Sequence, residues 1–199
     1  MRKDALLALV LLVGTSAVAS AQSTLMPAFS TPIRSYARNE KGLSISFPDY
    51  GYGFEGLYGV VQGSADIRFR GGVLLDAQGT DDVGVLFGAE LRTGVLSHNE
   101  DFPADGSLIL GAGVSLGNVN LVAIPVGLSL GRRLNIEDSN VSIVPFVQPT
   151  GTLVAGDLSD FYFSLGLGAD FHLTRSFVLR VSVGLGDVDG VSFGAVWVN

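Results

Sequence analysis

The chain has 199 residues, no cysteine and a formal charge of −7 at pH 7. The length favours one domain, and the lack of cysteine excludes disulfides, thiolate metal sites and cysteine nucleophiles. An acidic chain without a basic cluster is a poor candidate for binding nucleic acid, where neutralising phosphate dominates affinity. Only 16% of the residues are charged, against about 25% in ordinary soluble proteins. A fully solvated surface is therefore not expected.

Residues 1–21 have the three parts of a secretory signal peptide. Arg2 and Lys3 form a basic start, Ala5 to Val13 form an unbroken apolar run, and Ala19-Ser20-Ala21 fits a small-x-small cleavage site. The apolar run is too short to cross a bilayer as a helix, which needs about 20 residues. We expect cleavage after Ala21 and export of the remaining chain.

The exported chain divides into two parts. Residues 22–40 show no sustained period and are predicted to be an extended periplasmic lead-in. From residue 41 to residue 199, apolar residues alternate with polar or small ones, which is the period of a β-strand with two different faces.

The alternation is clearest at the C-terminal end. Residues 160–172, 177–186 and 191–198 each place bulky apolar side chains on one face and glycine, serine or a few charged residues on the other. Short turns at 174–176 and 187–190 separate the three predicted strands. Pro145 and Pro149 interrupt an earlier apolar segment, and a bulge or irregular pairing is expected there because proline cannot donate to the ladder.

Earlier segments repeat the pattern, with strands predicted at 65–76 and 83–92 around a turn at 78–82. Residues 56–77 resemble residues 166–187 as strand, tight turn and strand, which adds a strand at 54–62. Counting from residue 43 gives ten strands, and counting from residue 65 gives eight. Ten is favoured because eight leaves two apolar segments unpaired, although both even numbers suit a bacterial barrel.

The predicted fold is all-β, a single antiparallel up-and-down transmembrane β-barrel. A soluble β-sandwich, for example a periplasmic or secreted binding protein, is the alternative, but its second face would need to be well solvated. Here that face is mostly glycine and serine, which suits a narrow lumen. Aromatic residues are expected to form girdles at the two membrane rims. Those at the end near the C-terminus are Phe171, Phe177 and Trp197, and those at the opposite end are Phe161 and Phe163.

These patterns over residues 41–199 are similar to the small bacterial outer-membrane β-barrel proteins of the OmpX and opacity-protein type. The resemblance implies an outer-membrane location, contact with outer-membrane lipid and assembly by the insertion machinery. Barrels of this kind usually end on an aromatic residue, whereas this chain ends Val196-Trp197-Val198-Asn199. The signal for insertion is therefore displaced by two residues.

Seven charged residues are predicted to face the lumen. The hairpin at 77–82 is expected to place Glu90 opposite Arg68 and Arg70, and the turn at 174–176 to place Asp170 beside Arg180. Opposite charges on neighbouring strands at this spacing attract each other. Two interpretations remain open: a salt-bridged filling of the barrel, and a narrow channel for small solutes with a charged filter. The full set of predicted lumen charges is Asp66, Arg68, Arg70, Glu90, Arg92, Asp170 and Arg180.

No enzymatic site is predicted. His98 and His172 are the available histidines for general-base catalysis, and neither has a partner cluster. His98, Glu100, Asp101 and Asp105 lack the spacing of a calcium loop, and turn formation explains their residue types. We therefore expect no cofactor and no metal. The favoured function is a non-enzymatic barrel with a structural or envelope-associated role and unknown protein partners.

Overall fold

The computed structural model describes residues 23–32, 38–49, 51–75, 83–100 and 102–199. The predicted signal peptide (1–21) and the predicted turn at 78–82 lie outside these ranges. Among the described residues, no helix is long and apolar enough to cross a membrane. The strands are β1 (Glu40–Phe47), β2 (Tyr52–Gln62), β3 (Ala65–Leu75), β4 (Val83–Leu96), β5 (Asp105–Leu116), β6 (Leu121–Gly131), β7 (Leu134–Asn135), β8 (Ser142–Gly156), β9 (Asp160–His172), β10 (Phe177–Gly186) and β11 (Gly190–Val198).

Ten of these strands form one closed antiparallel barrel. Neighbours in sequence pair with each other, and two further ladders, β1 with β11 and β6 with β8, complete the ring. The two-residue β7 pairs with β8 alone and adds no strand to the ring. The prediction of a ten-stranded up-and-down barrel is confirmed, and the eight-stranded count and the soluble sandwich are both wrong.

The barrel has two rims that differ in their connections. At the terminal rim, Glu40 pairs with Val198, so the start of β1 and the end of β11 lie together. This rim also carries the longer loops, residues 97–104 and 132–141. The opposite end, the distal rim, includes the turns 48–51, 117–120, 157–159 and 187–189. The predicted hairpin likeness is also confirmed, since β2–β3 and β9–β10 are both tight antiparallel hairpins.

The strand period sorts side chains between lipid-compatible and lumen faces. On β10, Leu179 is 39% exposed on the outside, whereas its neighbours Val178 and Arg180 are buried inside. The same alternation runs along β3, β4, β9 and β11, with large apolar side chains on the outer face. An apolar exterior around a polar interior is the reverse of a soluble domain, and it is the arrangement of a transmembrane β-barrel.

Prolines interrupt the ladder on one side only. The β8–β9 register runs unbroken past Pro145 and Pro149. On the β6 side, pairing lapses at residues 128–129, opposite Gln148 and Pro149. Irregular pairing was thus the correct part of the expectation. The register shift lies elsewhere, between Gly94 and Leu96.

Residues 23–32 lie inside the barrel and fill its lumen. Most of this plug segment is buried, and Phe29 and Met26 are 0% and 1% exposed. Sequence analysis placed residues 22–40 in an extended lead-in outside the barrel, so the structure corrects that expectation for residues 23–32. A ten-stranded barrel is wider than an eight-stranded one, whose interior side chains just fill it. The plug segment occupies this additional width.

Candidate functional site in the barrel lumen

The structure places all seven predicted lumen charges inside the barrel, each less than 9% exposed. Arg180 and Asp170 face each other across β10 and β9 and form a two-pronged ion pair, with both N–O distances 2.7 Å. Arg68 lies 3.2 Å from Asp66, and Arg92 lies 3.8 Å from the same carboxylate. Buried charges need such partners because they have left water.

Two buried carboxylates that sequence analysis did not include complete this network. Glu55 of β2 forms an ion pair with Arg70. Glu40, at the start of β1, lies 3.1 Å from Arg68 and 3.5 Å from Arg180. Glu40 therefore joins β3 to β10 across the seam where β1 meets β11. Sequence analysis assigned Glu40 to the lead-in and so did not place it in the barrel. The alternation of β2 puts Glu55 on the inner face, and this pattern was the signal that could have identified it as a lumen charge.

Glu90 has a different partner from the one expected. The predicted register is present, because Glu90 lies directly opposite Arg68. However, among the described residues no arginine nitrogen lies within 4.0 Å of its carboxylate, since Arg68 and Arg70 bind other acids. Instead, the Ser23 hydroxyl of the plug segment donates to Glu90 Oε1 at 2.9 Å. Glu90 thus anchors the plug segment to β4.

The barrel holds the plug segment through side chains from six strands. Arginines, serines and a glutamine contact its main chain, and further contacts reach its hydroxyl groups. The donors and acceptors on the wall are Arg68 and Arg70 of β3, Glu90 and Arg92 of β4, Ser129 of β6, Gln148 of β8, Asp170 of β9 and Ser182 of β10. A buried hydrogen bond stabilises by about 0.5–1.5 kcal/mol net, so the contacts together hold the segment firmly.

Glycines on the inner face leave room for the plug segment. A Cβ added at Gly166 would lie 2.2 Å from Cδ1 of Phe29, and one at Gly113 would lie 1.8 Å from the carbonyl oxygen of Ser23. No side chain fits at such distances, so glycine is required by the close approach of the plug segment. Sequence analysis took the glycine-rich inner face as a sign of a narrow lumen. In the structure these glycines leave the space that the plug segment occupies.

Little free space remains around the plug segment. A residual cavity of about 30 Å³ lies beside it, lined in part by Ala28, Ser30 and Arg68. Such a cavity holds about one or two water molecules. Nearer the terminal rim, an apolar cluster of Val178, Val196 and Val198 also faces inward. In this state the lumen is filled by side chains and the plug segment.

The five aromatic residues predicted as girdles lie on the outer face of the barrel. Phe177 and Trp197 pack together at the terminal rim with ring centroids 5.6 Å apart, and Phe171 lies on neighbouring β9. Phe161 and Phe163 are 54% and 41% exposed near the distal rim. The distal rim has a further aromatic contact, between Phe47 and Phe193, whose centroids are 6.4 Å apart.

The candidate histidine and metal positions lie at the terminal rim, apart from the lumen contacts. The backbone N–H of His98 donates to Asp105 Oδ1 at 3.0 Å, which links the chain just after β4 to the first residue of β5. His172 ends β9 opposite Val178. Asp101 lies outside the described residues. Within the described ranges, no three His, Cys, Asp or Glu side chains are grouped so as to hold a metal ion.

Acidic side chains gather at the distal rim. Burial raises the pKa of Asp189. A hydrogen bond with Asp49 and the negative charge of Asp49 raise this pKa further. Burial likewise raises the pKa of Asp187, with added repulsion from Asp160 and Asp189. A proton held between neighbouring carboxylates therefore stabilises these turns. When all of the carboxylates are ionised, their negative charges repel each other.

The fold is that of a transmembrane β-barrel, and the plug segment occupies its lumen. No family model and no curated protein matches this chain. Solved structures similar to it include the KdgM porin, with 13% identity, a TM-score of 0.41, and coverage of 80% of this chain and 99% of that one. The KdgM porin in complex with disordered oligogalacturonate has 10% identity and a TM-score of 0.45, and the match covers 80% of this chain and 99% of that one. A structure described as "De novo design of transmembrane beta-barrels" has 14% identity and a TM-score of 0.41, and the match covers 84% of this chain and 97% of that one.

Proposed function

We propose that this protein is a non-enzymatic outer-membrane barrel that the plug segment keeps closed, with a structural role in the cell envelope. The observation that carries this proposal is the complete burial of Phe29, Ser23 and Thr24 inside the lumen. Wall side chains on many strands bind the segment. A barrel that must pass solutes continuously would keep this space open.

The apolar outer face supports the membrane location. Large apolar and aromatic side chains cover the outside of the wall, and a soluble protein rarely exposes so wide a surface of this kind. The expected signal peptide gives the export route. Outer-membrane lipid and the insertion machinery are then the partners of this barrel.

Conductance in planar bilayers tests the proposal. The full chain should show no steady conductance, whereas a variant lacking residues 23–32 should conduct, because the lumen loses its filling. Replacing Arg68, Arg70 and Glu90 together with small neutral residues should also produce a leak, since each of them binds the plug segment. Control recordings use Ala28→Ser, a change at a half-buried plug position that leaves the main-chain contacts in place.

A narrow channel for small solutes is the second candidate. It is favoured by the way the plug segment is bound, because side chains hold it and no strand ladder includes it. The segment can therefore leave without breaking the wall, and the lumen left behind is lined by charged and hydroxyl side chains. A stable, ion-selective conductance of the full chain would overturn the closed barrel and establish the channel.

A further inference from the structure

We infer that the lumen is a peptide-binding site, for which the plug segment is the tethered occupant, and that it recognises the sequence of that occupant. A free peptide with the sequence of residues 23–32 then binds in trans to a barrel whose own segment is absent. This goes beyond the proposed function, because closure alone requires only that the lumen be filled by some chain of similar volume.

The wall recognises the peptide main chain at consecutive residues. Ser182 accepts from the N–H of Phe29 at 3.2 Å and donates to the carbonyl of Pro27 at 2.7 Å. Further wall donors reach the next carbonyl groups, and one wall acceptor takes an N–H. These contacts are Arg70 to Ala28 O at 3.0 Å, Ser129 to Ser30 O at 2.8 Å, Arg92 to Thr31 O, and Ser30 N to Gln148 Oε1 at 3.3 Å.

Main-chain contacts of this kind define the class of ligand as an extended peptide. The backbone groups of the wall strands are engaged in the ladder, so wall side chains provide all of these contacts. Lipid tails and sugars do not present alternating carbonyl and N–H groups at the spacing of a polypeptide. The site is therefore built for a peptide chain.

Two apolar pockets and the contacts of the Ser30 hydroxyl add sequence preference. Met26 packs with Leu74 and Leu86. Phe29 packs with Phe146 and Val188, over the space left by Gly166. The Ser30 hydroxyl accepts hydrogen bonds from Arg68 at 2.7 Å and from Arg92 at 2.9 Å. The wall therefore contacts a Met, a Phe three residues later and a Ser immediately after that Phe, and we expect it to prefer peptides that carry all three.

The site is preorganised by its own ion pairs. Arg68 is paired with Asp66 and Glu40, and Arg70 with Glu55, and none of these pairs includes an atom of the plug segment. The guanidinium groups are consequently held in place before the peptide arrives, which lowers the entropy that binding must overcome. We therefore expect these pairs to persist in a barrel that lacks residues 23–32.

The test uses a variant of the full chain that lacks only residues 23–32, folded in detergent micelles. A fluorescently labelled peptide with the sequence STLMPAFSTP is titrated against it, and anisotropy should show saturable binding at one site. The Phe29→Ala and Ser30→Ala peptides should bind weaker by about tenfold or more, because each loses a buried contact. The Ala28→Ser peptide is the matched control and should bind like the parent sequence.

A second format retains the plug segment during folding. A protease site is introduced between residues 32 and 38 of the full chain, the folded barrel is cut, and labelled peptide is added in excess. Exchange of the cut segment for the labelled peptide, but not for a scrambled one, is expected. Equal uptake of the scrambled peptide in either format, or no uptake by a cut barrel that still shows heat-modifiable migration, overturns the inference.

Binding in micelles is independent of conductance and of membrane location. A full chain that conducts would overturn the closed barrel while leaving peptide recognition intact. A scrambled peptide that binds equally would overturn recognition while leaving closure intact. The two proposals are therefore separable by these two measurements.

Discussion

An arginine at the outward-facing Val181 should destabilise the barrel strongly in a lipid bilayer. β10 covers Phe177–Gly186, so Val181 lies within about 2 Å of its centre, given a rise of about 3.4 Å per residue and a tilt of about 40°. Arginine at the midplane costs about 2–4 kcal/mol and less towards the rims. Leu179 lies about 6–7 Å from the strand centre on the same scale, so Leu179→Arg should cost about half as much.

Urea unfolding in liposomes measures both costs. Trp197 is the single tryptophan of the chain and lies on the outer face at the terminal rim, so its emission reports loss of the barrel. Val181→Ala is the control for lost side-chain volume and should shift the midpoint far less than Val181→Arg. If Leu179→Arg were the costlier change, or if Val181→Arg cost nothing, the assigned lipid face or its depth would be wrong.

Two further substitutions test the plug segment and the distal rim. Gly166→Ala should displace Phe29 and produce a leak in bilayers. Gly56→Ala is the control and should not, because its added Cβ would lie 3.8 Å from the nearest neighbouring atom. An equal conductance of the two variants would show that Gly166 is not needed to position the plug segment. Because burial and Asp49 raise the pKa of folded Asp189, the contribution of Asp189 to stability should fall as the pH rises from the unfolded value of about 3.9 through that raised pKa. Asp189→Asn should remove that part of the pH dependence of the urea midpoint, and an unchanged profile would contradict it.

The barrel wall was predictable because each strand carries its own information. Leu179, Val181 and Val183 alternate with Val178, Arg180 and Ser182, and this period alone separates outside from inside. Hairpin register follows from the short turns, which is why Asp170 was expected beside Arg180. Local pattern and global fold agree along most of the chain.

The plug segment was not predictable because its role depends on contacts distant in sequence. Residues 23–32 have no period, and nothing within them signals burial. Their partners are wall residues such as Ser182, whose inward position follows from the alternation of β10 but whose partner does not. The structure shows Ser182 bound to the carbonyl of Pro27 and the N–H of Phe29. Substitution there removes two plug contacts at once.

The plug segment and many of its partners are far apart in sequence, so occupancy of the lumen depends on assembly of the wall. Pro27 and Ser182 are 155 residues apart, and Ser30 and Gln148 are 118 apart. The binding groups lie on β3, β4, β6, β8, β9 and β10, so the complete set exists only when strands from both halves of the chain have come together. A barrel that lacks part of this wall therefore lacks part of the site that holds the plug segment, and the two contacts named above close loops of more than a hundred residues.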